Sequence, residues 1–180
     1  MKKELTNYSN IKKYDISPHI IKFNINKRYI IYDKLDTGLY ELFTENKLEY
    51  KHIKSIIKLL KTYADIKFKH DDLHLHNFMW DNKNNKFKLI DWEYNYILQK
   101  DKYNIDDNYY IKFFLNLCTI PRYYYKKQKF KEFHKLRNIK QFLFNYFIKI
   151  YKKQTPSEQE KEEYNKYINI LQNDRNIPPI

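Results

Sequence analysis

The 180-residue sequence contains one cysteine and one glycine, and each scarcity excludes a class of structure. The single cysteine, Cys118, cannot form an intramolecular disulfide, which excludes a disulfide-stabilised secreted domain. The single glycine, Gly38, excludes a glycine-rich phosphate-binding loop of the G-x-G-x-x-G type. No apolar run is long enough to cross a bilayer, and residues 1–7 lack the apolar segment of a signal sequence. We therefore expect a cytoplasmic protein without a membrane span.

Lysine and aromatic residues are abundant instead. The formal net charge is +13, which raises nucleic acid as a partner. However, Lys, Asn, Ile, Tyr and Phe are enriched together, as AT-rich coding favours, and the lysines are spread along the whole chain. We therefore interpret the charge as solvated surface and do not expect nucleic-acid binding. If the AT-rich coding is that of a large virus, the cytoplasm would be the host's.

The N-terminal third predicts a small sheet, a hinge and a helix. Residues 18–34 show the pattern of a β-hairpin with a turn at 24–27. The hinge falls at 35–39, around Gly38. Apolar residues at helical spacing then predict a helix over 49–64 that packs on the core. Its lysines lie on the opposite face, which is typical of a solvated surface more than of a phosphate-binding stripe.

The C-terminal part predicts three further helices. The first begins at Asp106 or Asp107, and the second spans about 130–151. The third begins with Thr155 as its N-cap and Glu158 as the capping-box partner. With the small sheet, these helices indicate the α+β class.

The most informative stretch reads HDDLHLHNFMW at 70–80, then DNKNN at 81–85, then FKLIDWE at 87–93. The DNKNN segment is turn-forming and has apolar residues on both sides, so the stretch predicts a β-hairpin. Asn77 and Asp91 have Asn84 as their midpoint, which lies inside this turn. We therefore predict that Asn77 and Asp91 lie directly opposite one another at the open end of the hairpin.

Oxygen-bearing side chains at one sheet end predict a site for a hard cation. Magnesium prefers carboxylate and carbonyl oxygens and needs few protein ligands when phosphates supply the others. Asp72 precedes Asn77 by five residues and can reach the same volume. There its carboxylate could accept a hydrogen bond from a hydroxyl and orient it for attack on a phosphoryl group.

These residues resemble the catalytic and metal-binding loops of the protein-kinase superfamily. The DLH and IDWE sequences are most similar to the aminoglycoside phosphotransferase and choline kinase branch, and atypical protein kinases of large DNA viruses look similar. The resemblance implies ATP and Mg²⁺ as cofactors. It implies that Asp72 is the catalytic aspartate, that Asn77 and Asp91 hold the magnesium and its nucleotide, and that His70 braces the catalytic loop.

The same resemblance implies a single kinase-like domain over 1–180. Its parts would be a reduced antiparallel-sheet N-lobe at 1–34, a hinge at 35–39 and a mainly helical C-lobe at 40–180 that holds the catalytic hairpin. Asp33 and Leu35 would lie where the family's hinge binds adenine. Asp106 or Asp107 would lie where a later helix anchors the catalytic loop.

The sequence departs from the family before His70, since only 69 residues precede it. No strand lysine is followed by a helix glutamate, because Lys22 and Lys27 come after Glu4. Residues 1–15 are interpreted as the remainder of the helix that carries this glutamate in the family. We therefore expect a truncated N-lobe, which a partner chain could complete.

The expected function is transfer of a phosphoryl group from ATP to a hydroxyl of a protein or small molecule. The alternative is a catalytically weak or inactive pseudokinase that acts as a binding scaffold. A zinc site made by His70, His74 and His76 with Asp72 is a further alternative, although histidines in such loops more often make structural hydrogen bonds. The tyrosines and lysines of 123–127 are the best nucleic-acid patch, but such clusters more often pack between helices.

Overall fold

Helix and hairpin form the N-terminal part of the computed structural model, which describes residues 2–66, 68–70, 73–92, 95–97, 106–119 and 133–175. Helix α1 (Lys2–Ile11) and a 3₁₀ turn (Lys12–Tyr14) precede strands β1 (Ile20–Asn24) and β2 (Tyr29–Tyr32). The two strands pair antiparallel, with Asn24 opposite Tyr29 and a bulge between Ile20 and Lys22. The predicted N-terminal hairpin is confirmed.

The segment after β2 connects this hairpin to the rest of the molecule. The backbone of Asp36 and Thr37 exchanges hydrogen bonds with Trp80, both at 2.8 Å. Gly38 then starts the short helix α2 (Leu39–Thr44) with a φ of −71°, which any residue can adopt. A Cβ added at this position would lie 2.6 Å from the Glu41 carboxylate, so the flexible Glu41 side chain would have to move aside. That carboxylate accepts a hydrogen bond of 2.5 Å from the Gly38 N–H.

Helix α3 (Tyr50–Asp65) forms the centre of the described structure. Its apolar residues at helical spacing are buried, as predicted, and include Ile53, Ile56 and Leu60. The lysines on the opposite side are exposed. A buried Ser55 on the inner face accepts a hydrogen bond of 2.8 Å from the Phe87 N–H, which joins the helix to the hairpin of residues 78–89.

Four more strands form two small antiparallel pairs. Strands β4 (Phe78–Asp81) and β5 (Lys86–Leu89) make the second predicted hairpin, and β3 (Phe68–His70) pairs with β6 (Asn95–Ile97). Together with β1 and β2, the described residues thus contain three two-stranded sheets. The helices and these sheets confirm the α+β class.

The C-terminal helices are α4 (Asp107–Thr119), α5 (Phe133–Tyr151) and α6 (Glu158–Arg175). Asp106 caps α4, because its Oδ1 accepts a hydrogen bond of 2.9 Å from the Tyr109 N–H. The predicted start of α6 was wrong by two residues. Ser157 and Glu160 make the reciprocal capping bonds, so the helix begins after Ser157 and Thr155 lies outside it.

Aromatic side chains fill much of the core between these helices. Phe43, Phe147 and Tyr164 are almost fully buried and lie within 6.3 Å of one another by ring centroids. The Tyr164 hydroxyl donates a hydrogen bond of 2.6 Å to the Phe43 carbonyl. Residues 123–127 lie outside the described residues. No helix of the described part is long and apolar enough to span a membrane.

Candidate functional site

The register of the β4–β5 hairpin places Asp91 beyond the pairing. Phe78 pairs with Leu89 and Asp81 with Lys86. In the same register Ile90 lies opposite Asn77, and its N–H donates a hydrogen bond of 3.0 Å to the Asn77 carbonyl. The prediction that Asn77 faces Asp91 directly was therefore wrong by one residue.

The turn explains the difference in register. It contains four residues, 82–85, so the pairing is centred between Lys83 and Asn84 and not on Asn84. Asp81 closes this turn, because its carboxylate accepts bonds from the backbone N–H and the side-chain amide of Asn84, at 3.1 and 2.7 Å. Asn85 has a φ of 50°, which Asn tolerates better than most residues.

Asp91 lies at the open end of the hairpin, is exposed and has a φ of 60°. Hydrogen bonds hold the carbonyls on both sides of it. The His70 Nε2 lies 2.8 Å from the Ile90 carbonyl, and the Asn7 side chain donates a bond of 2.6 Å to the Trp92 carbonyl. Because the residues on both sides of it are held, the backbone around Asp91 is restrained, and this restrains the direction of its side chain.

His70 connects three elements at this point. Its side chain is buried and packs on the Trp92 ring, with the centroids 4.9 Å apart. The backbone N–H of His70 donates a hydrogen bond of 2.8 Å to the hydroxyl of Tyr63 on α3. His70 therefore joins α3 and β3 to the residue that precedes Asp91.

A cavity of about 380 Å³ lies beside Asp91. It is lined by residues from α1, the segment before β1, the end of β2, the hinge and the hairpin: Glu4, Pro18, Tyr32, Asp33, Leu35, Met79, Ile90 and Asp91. The structure thus brings together three of the predicted site residues, Asp33, Leu35 and Asp91. The positions of these residues in the sequence do not by themselves show that they line one cavity.

Glu4 and Met79 belong to the same cavity, but the motif did not predict them. Glu4 lies on α1, and its carboxylate accepts a hydrogen bond of 2.5 Å from the Tyr32 hydroxyl. Burial raises the pKa of Tyr32, and the Glu4 and Asp91 carboxylates raise it further. The only signal for Glu4 in the sequence was the helical interpretation of residues 1–15. Alternation along β4 was the available signal for Met79.

The other predicted residues either do not line this cavity or lie outside the described residues. Asn77 ends a 3₁₀ turn (Leu75–Asn77) and is buried. Its N–H donates a hydrogen bond of 3.0 Å to the His74 carbonyl, and it does not line the cavity. Asp72 lies outside the described residues. Asp107 contacts Lys61 and Tyr151, which join α4 to α3 and α5.

The cavity is electronegative. Among the described residues that line it, three carry carboxylates, Glu4, Asp33 and Asp91, and none is a lysine or arginine. Such a lining attracts a cation and repels a free polyphosphate. Within the described part of the chain, no group of three or more His, Cys, Asp or Glu side chains could hold a metal ion by itself. A divalent cation here would therefore complete its coordination with water or ligand oxygens, as magnesium does.

The zinc alternative has no support in the described residues. The His70 ring binds the Ile90 carbonyl, and the His76 ring stacks on Tyr40 with centroids 4.2 Å apart. The His74 ring lies 5.7 Å from that of His76. These contacts fit structural histidines in a loop.

Comparison with known proteins adds no assignment. No family model matches the sequence. No curated protein matches it significantly.

Proposed function

We propose that the protein is a kinase-like phosphotransferase that uses ATP and Mg²⁺. It moves the terminal phosphoryl group to a hydroxyl of a protein or small molecule. One observation carries this proposal. Asp91 lines one cavity together with Asp33 and Leu35, the residues that the resemblance assigns to the nucleotide. These residues come from two segments more than 50 positions apart, so their meeting was not built into the motif.

The cavity provides two kinds of surface for a nucleotide. Leu35, Met79 and Ile90 supply apolar surface for the base, next to backbone groups of the hinge. Asp91 lines the same cavity and is the magnesium ligand of the proposal. The resemblance implies Asn77 as the second ligand, but Asn77 is buried and does not line the cavity, so it would have to reach the metal from behind the lining. Magnesium bound there would neutralise phosphate charge and stabilise the charge that develops during transfer. Because the lining is acidic, the nucleotide should bind with the metal and not without it.

The protein's own groups position and deprotonate the reactants. His70 and Asn7 hold the carbonyls that flank Asp91, so the carboxylate is preorganised before the ligand arrives. Asp72 accepts the proton of the acceptor hydroxyl, whose oxygen forms a bond to the terminal phosphorus. The bond from that phosphorus to the bridging oxygen breaks, and ADP leaves.

A partner chain that completes the N-lobe is part of the proposal. The β1–β2 sheet exposes Ile21, Phe23 and Ile31, which are 64, 51 and 45% accessible. A two-stranded sheet is marginally stable alone, and these large exposed apolar side chains offer surface on which a partner chain would pack. An apolar dye such as ANS should bind the wild-type protein and bind less to the Ile21→Thr/Phe23→Thr variant, which has β-branched residues at both strand positions. Equal dye fluorescence from both proteins would argue against an uncovered apolar face.

Calorimetry of nucleotide binding tests the function before any acceptor is known. Asp91→Asn is the suitable variant because Asn tolerates the left-handed backbone and removes only the charge. With millimolar magnesium, the variant should bind ATP about tenfold or more weakly than wild type, since a charged metal ligand is lost. Glu162→Gln is the matched control, because it removes one exposed carboxylate on α6. Wild-type protein that binds no nucleotide under these conditions would overturn the proposal.

A single-turnover assay separates the enzyme from the scaffold. Labelled terminal phosphate should be transferred by wild type, and Asp72→Asn should reduce the rate about 10²-fold or more. Binding of Mg-ATP without any transfer would favour the pseudokinase alternative.

A further inference from the structure

A second and larger cavity lies on the other side of the catalytic hairpin. Its volume is about 610 Å³, and it shares no lining residue with the cavity at Asp91. One side of α3, the end of the β4–β5 turn with the start of β5, and the segment after α1 form its walls. We call it the lysine groove, after Lys51, Lys54, Lys58 and Lys86, which line it.

The lysine groove carries a surplus of positive charge. Asp15 is its one acidic residue, and this carboxylate is already bound to Lys86 and to the buried Lys88. Lys51 lies 3.2 Å from Glu49, in an exposed pair that contributes little. In the described structure no carboxylate pairs with Lys54 or Lys58, and the Lys54 ammonium lies 5.6 Å from the Tyr50 ring centroid.

Further cations stand at the rim. The Lys13 ammonium lies 5.0 Å from the centre of the Tyr14 ring, and the Lys153 ammonium lies 4.8 Å from that of Tyr50. Both tyrosines line the groove. Lysines from four separate parts of the chain therefore surround one concave surface, which a uniformly solvated helix face does not explain. Low-dielectric walls strengthen the field that such charges produce in a cleft.

The size and chemistry of the lysine groove favour a small ligand. Its volume falls in the range of about 300–1,000 Å³ that is usual for small-molecule sites. Its cations are lysines and not arginines, so it offers separate point charges instead of the planar fork that binds a carboxylate. Lys51, Lys54 and Lys58 follow one another at helical spacing along one face of α3, which suits several phosphate groups held side by side.

We propose that the lysine groove binds a compact polyanion that carries several phosphate groups. This site is separate from the proposed phosphotransfer site and does not depend on it. Inorganic tripolyphosphate is a suitable probe, in calorimetry at physiological salt with EDTA present. EDTA removes divalent cations and so suppresses binding of the probe at the acidic cavity.

The decisive variant is Lys54→Gln/Lys58→Gln, which changes two exposed side chains and should leave the fold intact. It should weaken tripolyphosphate binding about tenfold or more, because two charge-assisted contacts are lost. The matched control, Lys22→Gln/Lys166→Gln, removes the same charge from exposed positions elsewhere and should leave the affinity nearly unchanged. Asp91→Asn should also leave it unchanged.

Three results with tripolyphosphate would overturn the proposal: no binding by wild type, equal affinity in the Lys54→Gln/Lys58→Gln variant, or weaker binding in Asp91→Asn. Tighter binding of a hexa-aspartate peptide or a single-stranded oligonucleotide than of tripolyphosphate would also overturn it. That result would assign the lysine groove to an acidic protein segment or to nucleic acid.

Discussion

Two buried serines show how much depends on a single hydroxyl. Ser17 and Ser55 are both buried, with 3 and 8% of their surface accessible. The Ser55 hydroxyl accepts the N–H of Phe87, whereas the Ser17 hydroxyl has no hydrogen-bond partner within the described residues. An unpaired buried hydroxyl is destabilising by about 1–3 kcal/mol relative to a paired one. Removal of the hydroxyl should therefore change the free energy of unfolding in opposite directions at the two positions.

The first prediction compares these two serines. Ser17→Ala should raise the free energy of unfolding by up to about 1 kcal/mol, because it removes an unsatisfied group. Ser55→Ala should lower it by about 1–2 kcal/mol, because it leaves the Phe87 N–H unpaired in the interior. Urea unfolding followed by circular dichroism measures both. A loss of stability in Ser17→Ala would mean that its hydroxyl is satisfied.

At the scale of elements, an ion-pair cluster connects the β4–β5 hairpin to the segment after α1. Asp15 binds both Lys86 and Lys88 of β5, and Lys88 is only 1% accessible. The Lys88 ammonium also donates a bond of 2.9 Å to the Asp15 carbonyl. Burial by itself would raise the pKa of Asp15, but hydrogen bonds from the two lysines outweigh it and hold the pKa below the usual value.

The second prediction separates charge from shape at this cluster. Asp15→Asn keeps the left-handed backbone, with its φ of 57°, but leaves the buried Lys88 without its counter-charge. It should lower the free energy of unfolding by about 2 kcal/mol, since Asp15 is half exposed. Adding Lys88→Met should restore most of this loss, because no buried charge is left.

Acid should act on the same cluster. A carboxyl whose pKa is lower in the folded state stabilises the protein above its unfolded pKa, near 3.9, and this contribution is lost as the pH falls below that value. The difference in stability between wild type and Asp15→Asn should therefore shrink in that acid range. If the Asp15→Asn/Lys88→Met double variant is as unstable as Asp15→Asn alone, the lost stability does not come from the uncompensated charge of Lys88.

For the whole molecule, His52 links stability to mild acid. It lies on the inner face of α3, and its Nδ1 accepts a hydrogen bond of 3.0 Å from the Glu49 N–H. Its ring packs against Trp80, with centroids 4.5 Å apart. Burial lowers the pKa of His52 to about 4. The folded protein therefore holds this ring neutral where the unfolded chain would protonate it.

The third prediction is a loss of stability between the two pKa values. The unfolded chain takes up a proton at His52 below about pH 6.5, and the folded protein does not until about pH 4, so the free energy of unfolding should fall across this interval. The expected fall is about 2–3 kcal/mol. His52→Gln retains an acceptor and should flatten the dependence. His19→Gln, at an exposed position, should follow wild type. Parallel curves for all three proteins would exclude His52 as the cause.

The elements were largely predictable from the sequence because their signals are local. Helix α3 and both hairpins follow from the period of their apolar residues and from turn residues between them. The start of α6 was placed too early, because Thr155 and Ser157 both suit an N-cap and only the bond to Glu160 selects one. The hairpin register was missed by one residue, since the Asp81 side chain decides the turn length.

The candidate site was predictable only in part, for a physical reason. The motif at 70–93 named Asp91 because its neighbours in sequence form the hairpin. Glu4 and Asn7 reach the same place through the packing of α1, and no local pattern specifies that packing. The lysine groove was interpreted as a solvated helix face for the same reason, because Lys86 and Tyr14 approach α3 only after folding.

The four-residue turn of the β4–β5 hairpin determines where Asp91 lies relative to the paired strands. An even number of turn residues assigns Ile90 to the last rung of the ladder and releases Asp91 from it. With one more residue in the turn, Asp91 would replace Ile90 opposite Asn77, and every side chain of β5 would move to the opposite surface. The Asp91 carboxylate is therefore available to solvent and ligands because the turn at 82–85, at the far tip of the hairpin, contains four residues.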